Sequence, residues 1–465
     1  MDAAPQPDPR LGSDLVVRRR RLETRFMLRA WGVTQGVRLA AAGGAWAWAE
    51  LAGAAGDLVV GGRTRARRRR TRQISGAQRI AGLLGELKGP FAKAGQFASL
   101  RVDVLEPEIR EAFATLRDRV PPLPIDEIAA VVEEDLGAPL ARLFAEFEPD
   151  PLGAASVAQV HRARLFGGER VAVKIQYPWL ARSLRADLAW TRRLLGWLVR
   201  SAAGHDRDRL FDEFAAGLAD ELDFAREARV AGEIAANLAG DPQVVVPRVH
   251  PALSSRRVLT VDWMPVLPLH DRSALERRGV PLGDVVTVLG RAYAKQVFVD
   301  GLFHADPHPG NLFILDEPDA AVRPRLLFVD FGLSKRLEPT LRREMRLGVL
   351  ALLRHDTEAF VAGMDRVGMI APGARGGVRE AVEQMIRRIE GHGSALGLGG
   401  AQILALKDEA KQWLERTPGL QLPAELLLWA KTLSYLFALG EQLDPDTDLA
   451  RTTLPYLLRW LAARD

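Results

Sequence analysis

The chain has 465 residues, 48% hydrophobic and 26% charged. That is the balance of a folded globular protein, and it is too long for one ordinary core, so two or three lobes are expected. The absence of cysteine excludes disulfides, thiolate nucleophiles and cysteine-ligated zinc or iron–sulfur centres. The net charge is only +5 but the isoelectric point is about 9.7, and arginine clusters near the N-terminus, at Arg18 to Arg21 and from Arg63 to Arg72.

These basic runs have two readings. One is a solvated face. The other is attraction to an anionic membrane surface, at ~1 kcal/mol for each basic residue near it. No interleaved aromatics or nucleic-acid-binding motif accompany them, so nucleic acid is not an expected partner. The first fifteen residues are polar and Pro-rich, with no apolar core of a signal peptide. Leu39 to Val60 has the length to span a bilayer. Its Ala/Gly composition, with Glu50 and Asp57, instead suits a surface or packed helix, with Trp31, Trp46 and Trp48 as interfacial anchors.

From Ile74 to about Phe147 the periodicity is helical. Turn signals fall at Lys88-Gly89-Pro90 and from Val120 to Pro124, and Asp126 reads as a helix N-cap. The character changes near Pro151. Ser156 to Pro178 reads as two strands joined by a turn at Phe166-Gly167-Gly168. In the second strand Val171, Val173 and Ile175 alternate with Ala172, Lys174 and Gln176. Helical patterns run from Trp179 to Ala239, and strands return at Gln243 to Val249 and Arg257 to Trp263. After Pro281 the chain is mainly helical, interrupted by a hairpin around Leu312 to Val329. A mixed α/β part followed by a helical part predicts two lobes with a cleft between them.

The strongest chemical signal is FHADPHPGNLFIL, Phe303 to Leu315, which sets Asp306 five residues before Asn311. It is followed by LLFVDFGLSK, where a short apolar strand delivers Asp330 into a Phe-Gly turn. Phosphoryl transfer needs a positioning carboxylate, an Asn that holds metal and an Asp that holds metal against phosphates. This order of residues supplies all three. Lys174, in VAVKIQ, matches the strand lysine of such sites. A lone strand lysine would read as an edge residue facing solvent. Its place before the Asp/Asn/Asp set favours the phosphate role. The phosphate-covering loop departs from the usual Gly-x-Gly-x-x-Gly: the chain has Gly153-Ala154-Ala155-Ser156-Val157-Ala158. Alanine adds a Cβ and limits φ, which predicts a stiffer loop.

Two further runs, LKGPFAKAGQFASLR (Leu87 to Arg101) and DELDFAREA (Asp220 to Ala228), read alone as charged faces of amphipathic helices. Together with the other segments they resemble the UbiB/AarF/ADCK family of atypical kinases. Lys93-Ala94-Gly95-Gln96 matches its Lys-x-Gly-Gln signature, and Ala154-Ala155-Ser156 its Ala-rich loop. Glu221-Leu222-Asp223 matches its Glu-x-Asp signature, and Glu227 the helix glutamate that pairs with the strand lysine.

The resemblance implies an α+β, protein-kinase-like two-lobed fold with an N-terminal helical extension and a mainly helical C-lobe. The division it suggests is a basic extension over 1–73, a helical extension over 74–150, an N-lobe with a helical insertion over 151–268 and a C-lobe over 269–465. It implies ATP and Mg²⁺ as cofactors and a link to isoprenoid-quinone or membrane-lipid metabolism. A quinone precursor or lipid is then a possible ligand, and the place of work is cytoplasmic, on the inner face of the membrane. In that scheme Lys174 and Glu227 form an ion pair, Asn311 and Asp330 hold magnesium, and Asp306 is the catalytic-position carboxylate. Ala154, Ala155, Ser156 and Val157 border the nucleotide, and Lys93, Gln96, Glu221 and Asp223 line an occluded substrate side.

Almost no activation segment separates Gly332 from the helical run near Pro339, and no Ala-Pro-Glu follows, which argues against a peptide substrate. No hydrophobic hairpin follows PYLLRWLAARD, so membrane anchoring is not expected at that end. Two alternatives to an active ATPase stay open: a non-catalytic ATP-binding scaffold, and a small-molecule phosphotransferase of the aminoglycoside or choline kinase type.

Overall fold

The computed structural model describes residues 122–180, 207–317, 320–391, 417 and 419–463, with isolated positions between 64 and 97 and between 184 and 192. Gln96, the stretch Leu39 to Val60 and the Arg18 to Arg21 run lie outside the described residues.

Helix α1 (Ile125–Leu136) buries Ile128, Val131 and Val132, the i, i+3, i+4 stripe of an amphipathic helix. Its N-cap is Pro124 and not Asp126. Asp126 and Glu127 instead occupy the first turn, where carboxylates oppose the positive helix end. Gly137 ends the helix at φ 73°, a left-handed conformation that glycine adopts without strain.

Strands β1 (Glu146–Ala154), β2 (Ala158–Arg164) and β3 (Arg170–Gln176) follow. The β2–β3 turn closes with a Gly168 N–H to Leu165 carbonyl bond of 2.9 Å. Two helices, α2 (Arg207–Glu221) and α3 (Phe224–Leu238), and the short strand β4 (Val244–Val245) precede β5 (Val258–Asp262). β5 completes an antiparallel sheet in the order β1-β2-β3-β5. Its core unites Val171, Val173 and Ile175 of β3 with Val258 of β5, the buried face of α1 and Phe224 of α3. Each such side chain contributes about 1.5–3 kcal/mol by leaving water. One apolar cluster thus fixes β3 and the start of α3 relative to each other.

The second lobe begins with β6 (Val266–Pro268) and α4 (Leu282–Ala294). A π-helical turn, Lys295–Asp300, ends at Gly301 with φ 67°. Strands β7 (Leu302–Phe303), β8 (Leu312–Leu315), β9 (Leu326–Phe328) and β10 (Lys335–Arg336) follow. β8 and β9 form the expected antiparallel hairpin, inside a sheet of order β4-β9-β8-β6. β7 pairs with β10 through Phe303 opposite Lys335. Helices α5 (Pro339–Leu353), α6 (Thr357–Arg366), α7 (Arg375–Gly391), α8 (Ala424–Leu443) and α9 (Leu449–Ala462) complete the lobe. Val285, Leu289 and Tyr293 of α4 sit at its centre, against Leu326 and Phe328 of β9 and Leu436 of α8. The architecture is α+β and kinase-like, with the two lobes meeting where β3, α3 and the end of β9 converge. Among the described residues no helix is long and apolar enough to cross a membrane.

Candidate active site

Lys174 lies on β3, flanked by β2 and β5, opposite Val160 and Leu259. It is therefore on an inner strand and not at an edge. Its Nζ is 2.9 Å from both carboxylate oxygens of Glu227 and 2.8 Å from Oδ1 of Asp330. Glu227 stands in the first turn of α3 and is 1% exposed, whereas the Asp330 side chain is 46% exposed. Burial alone lowers the Lys174 pKa, but Asp330 and Glu227 outweigh it and hold the ammonium well above its ordinary value. Burial would raise Asp330, yet Lys174, with help from Lys93, brings it down to about 2. Glu227 is pushed up to about 7 by burial, which Lys174 only partly offsets and Asp330 reinforces.

Asp330 has φ 62°, the left-handed region that a residue with a Cβ adopts at a cost of about 1–3 kcal/mol. His304 holds it there. This fully buried imidazole places Nε2 3.0 Å from the carbonyl oxygens of both Val329 and Asp330. Nε2 therefore carries the proton and donates, and Nδ1 accepts from the Tyr293 hydroxyl at 3.1 Å. Phe331 meets the same imidazole edge-on, with centroids 5.4 Å apart. Gly332 follows beside both carboxylates: a Cβ there would be in ordinary contact, 3.4 Å from Asp330 Oδ1 and 3.5 Å from Glu227 Oε2.

Asp306 and Asn311 share one loop. Asn311 Nδ2 donates to Asp306 Oδ2 at 2.8 Å and to its carbonyl at 3.3 Å. The Val329 N–H donates to the Asn311 carbonyl at 3.0 Å, tying this loop to the segment that carries Asp330. Lys431 reaches in from α8, with Nζ 3.7 Å from Asp306 Oδ1.

The Ala-rich segment is a tight β1–β2 turn, closed by an Ala155 N–H to Ala158 carbonyl bond of 2.8 Å. Ala155 is exposed and Ala154 half-buried, while Ser156 and Val157 are buried. Val157 turns inward. Its side chain joins the N-lobe core, and its carbonyl accepts from the Tyr177 N–H at 3.1 Å. Ser156 to Gln159 are all buried, so the turn itself folds onto the core.

Lys93 pairs with Glu221 at 2.5 Å, and both side chains are only 14% exposed. A would-be Cβ on Gly332 lies 3.7 Å from Glu221 Cγ, so this pair borders the Asp330 turn. Asp223 is the N-cap of α3, accepting from the Arg226 N–H at 3.0 Å. Its carboxylate thus starts the helix that carries Glu227.

Several participants carried no sequence-derived role. Arg226 donates to the carbonyls of Gly332 and Ser334 at 3.4 and 3.2 Å, and pairs with Asp220 at 3.3 Å. Lys335 also bonds Asp220, at 3.0 Å, so the segment after Gly332 is fastened to α2 and α3. Arg226 and His304 both sit inside motif segments, and their neighbours there were the available signal. Lys431 and Tyr293 had no such signal.

The family model of the ABC1 atypical kinase-like domain matches residues 115–364. A protein named Probable protein kinase UbiB from Marinobacter nauticus is 32% identical over 400 residues, covering 84% of this chain and 71% of that protein. One of the same name from Azotobacter vinelandii is 31% identical over 409 residues, covering 85% and 73%. A solved complex of Rv3197 with erythromycin from Mycobacterium tuberculosis is 27% identical with a TM-score of 0.49, covering 78% of this chain and 90% of that one. The family match takes in more than half of the chain, including Lys174, Glu227, Asp306, Asn311 and Asp330, and the chain belongs to the ABC1 atypical kinase-like family.

Proposed function

We propose that this protein binds Mg-ATP in the cleft and acts as an atypical kinase or ATPase, in support of isoprenoid-quinone biosynthesis or membrane lipid metabolism. The observation that carries the reading is the convergence of Glu227 and Asp330 on one lysine, beside a loop in which Asn311 holds Asp306. Phosphoryl transfer asks a protein mainly for positioning and electrostatics, and this set offers both.

Lys174 meets the nucleotide phosphates as a point charge oriented by Glu227. The Asp330 carboxylate and the Asn311 amide oxygen suit magnesium. Both are hard oxygen donors, and the Asn311 Nδ2 is already committed to Asp306, which leaves its oxygen for a cation. When bound, the metal neutralises charge on the phosphate oxygens. Asp306, fixed by Asn311, takes the proton of the attacking hydroxyl or water. Only β10 and a few flanking residues separate Gly332 from α5, and they are fastened to α2 and α3. That leaves little chain on which a peptide substrate could dock, and favours water or a small acceptor. The N-terminal arginine runs favour a peripheral site on an anionic cytoplasmic membrane surface.

Purified protein is expected to hydrolyse ATP with magnesium, faster on anionic liposomes, and Asp330→Asn is expected to reduce turnover to background. Equal background turnover in both proteins, with nucleotide binding retained, would replace the catalytic reading by a binding scaffold.

A further inference from the structure

A partly open apolar space lies in the helical lobe, away from the phosphate residues. Side chains of α4, the π turn, α5, α6, α8 and α9 surround a cavity of about 490 Å³. Small-molecule sites occupy ~300–1,000 Å³. The wall is apolar, with Val297, Phe298, Met345, Leu433, Phe437 and Leu457 among its residues. Folded interiors carry few voids larger than a water molecule, so an apolar space of this size calls for an occupant.

The polar groups on the wall describe that occupant. Glu344 is the one charged lining residue among the described residues, and Arg366 pairs with it at 2.6 and 3.0 Å. The Tyr293 hydroxyl is bonded to His304, and the Thr453 hydroxyl donates to the Ala450 carbonyl at 3.0 Å. Trp429 differs: its indole Nε1 is buried without a hydrogen-bond partner among the described residues. A buried donor left unpaired is costly, and an oxygen acceptor on a ligand would satisfy it. Among the described residues no Lys, Arg or His lines the wall, so an anionic head would find no counter-charge there, and a neutral head is favoured. Exposed apolar side chains stand on the same helices, Leu353 on α5, Tyr435 on α8 and Leu458 on α9.

We infer that this cavity binds a neutral, single-chain lipid-class molecule whose one oxygen acceptor receives the Trp429 Nε1–H. The inference stands apart from the phosphoryl-transfer reading, because it requires no nucleotide and no turnover.

The test is equilibrium binding of methyl palmitate to the full chain from a cyclodextrin carrier, with hexadecane and palmitate as comparators. Saturable one-site binding of the ester is expected, tighter than that of palmitate. Trp429→Phe keeps an aromatic wall and removes the donor. It should weaken the ester about fivefold, the effect of one hydrogen bond, and leave hexadecane unchanged. Leu433→Trp and Val349→Phe, which fill the space, should abolish binding without changing the circular-dichroism spectrum. Absence of ester binding to the wild type overturns the proposal, as does cross-linking of residues 392–416 of the same chain into the cavity. So does ester binding that Trp429→Phe leaves unchanged, and this holds even if the filled variants fail to fold.

Discussion

One ammonium serves two carboxylates at the cleft, and they share it unequally. Asp330 is held down to about 2, while Glu227, sealed from solvent, rises from 4.5 to about 7. Below the unfolded value Glu227 is neutral in both states and has no effect on stability. As pH rises from there through 7 the unfolded chain ionises first, so stability falls across that window. Asp330 acts in the opposite sense and in a separate window: its contribution is lost only as pH falls below about 4. The expected outcome is a nucleotide-free protein that loses on the order of a few kcal/mol between pH 5 and 8, a slope that Glu227→Gln removes. Urea midpoints measured across that range decide it, and identical slopes would mean that Glu227 is ionised throughout. Lys174, Asp306, Asn311 and Asp330 were legible because they sit in short motifs whose spacing is itself chemical. The burial of Val157 was not legible, since the motif does not say how the turn sits against the core. Lys431 was not legible at all: it meets Asp306 from a helix far along the chain, and no local pattern marks it.

At the scale of elements, alternation made β2 and β3 legible, and turn chemistry made the β8–β9 hairpin legible. β1 was not. Pro149 and Pro151 interrupt it, and proline cannot donate to a ladder. The strand survives because it is at the sheet edge, where register shifts between Phe147 and Gly153 absorb the prolines. The fastening of α3 to the chain after Gly332 was equally hidden, because it joins side chains to backbone carbonyls more than 100 residues away. It has a measurable consequence. Arg226→Ala removes hydrogen bonds to two carbonyls and an ion pair to Asp220, and should cost about 1–3 kcal/mol in urea unfolding. Amide exchange should accelerate selectively at Gly332 to Arg336. Exchange that rises uniformly over the lobe would instead assign Arg226 a general packing role.

Across the whole molecule, the apolar cavity and the cleft are joined by a short hydrogen-bonded relay. Sequence could not reveal this, because helices that line a cavity and helices that fill a core show the same apolar period. Tyr293 lines the cavity and bonds His304, and His304 holds the Val329 and Asp330 carbonyls in the strained turn. Two side chains thus connect an apolar ligand to the Asp330 carboxylate. If both proposed sites are occupied as argued, methyl palmitate should change the affinity for Mg-ADP, and Mg-ADP should change the affinity for the ester by the same factor. Couplings of this kind are typically about 1–3 kcal/mol. Tyr293→Phe retains the ring on the cavity wall and cuts the bond to His304, so ester binding should persist while the mutual effect disappears. Titrations of each ligand with and without the other, in both proteins, measure the factor. A coupling that survives in Tyr293→Phe would route it through other contacts, such as Lys431 on α8, whose helix walls the cavity and reaches Asp306.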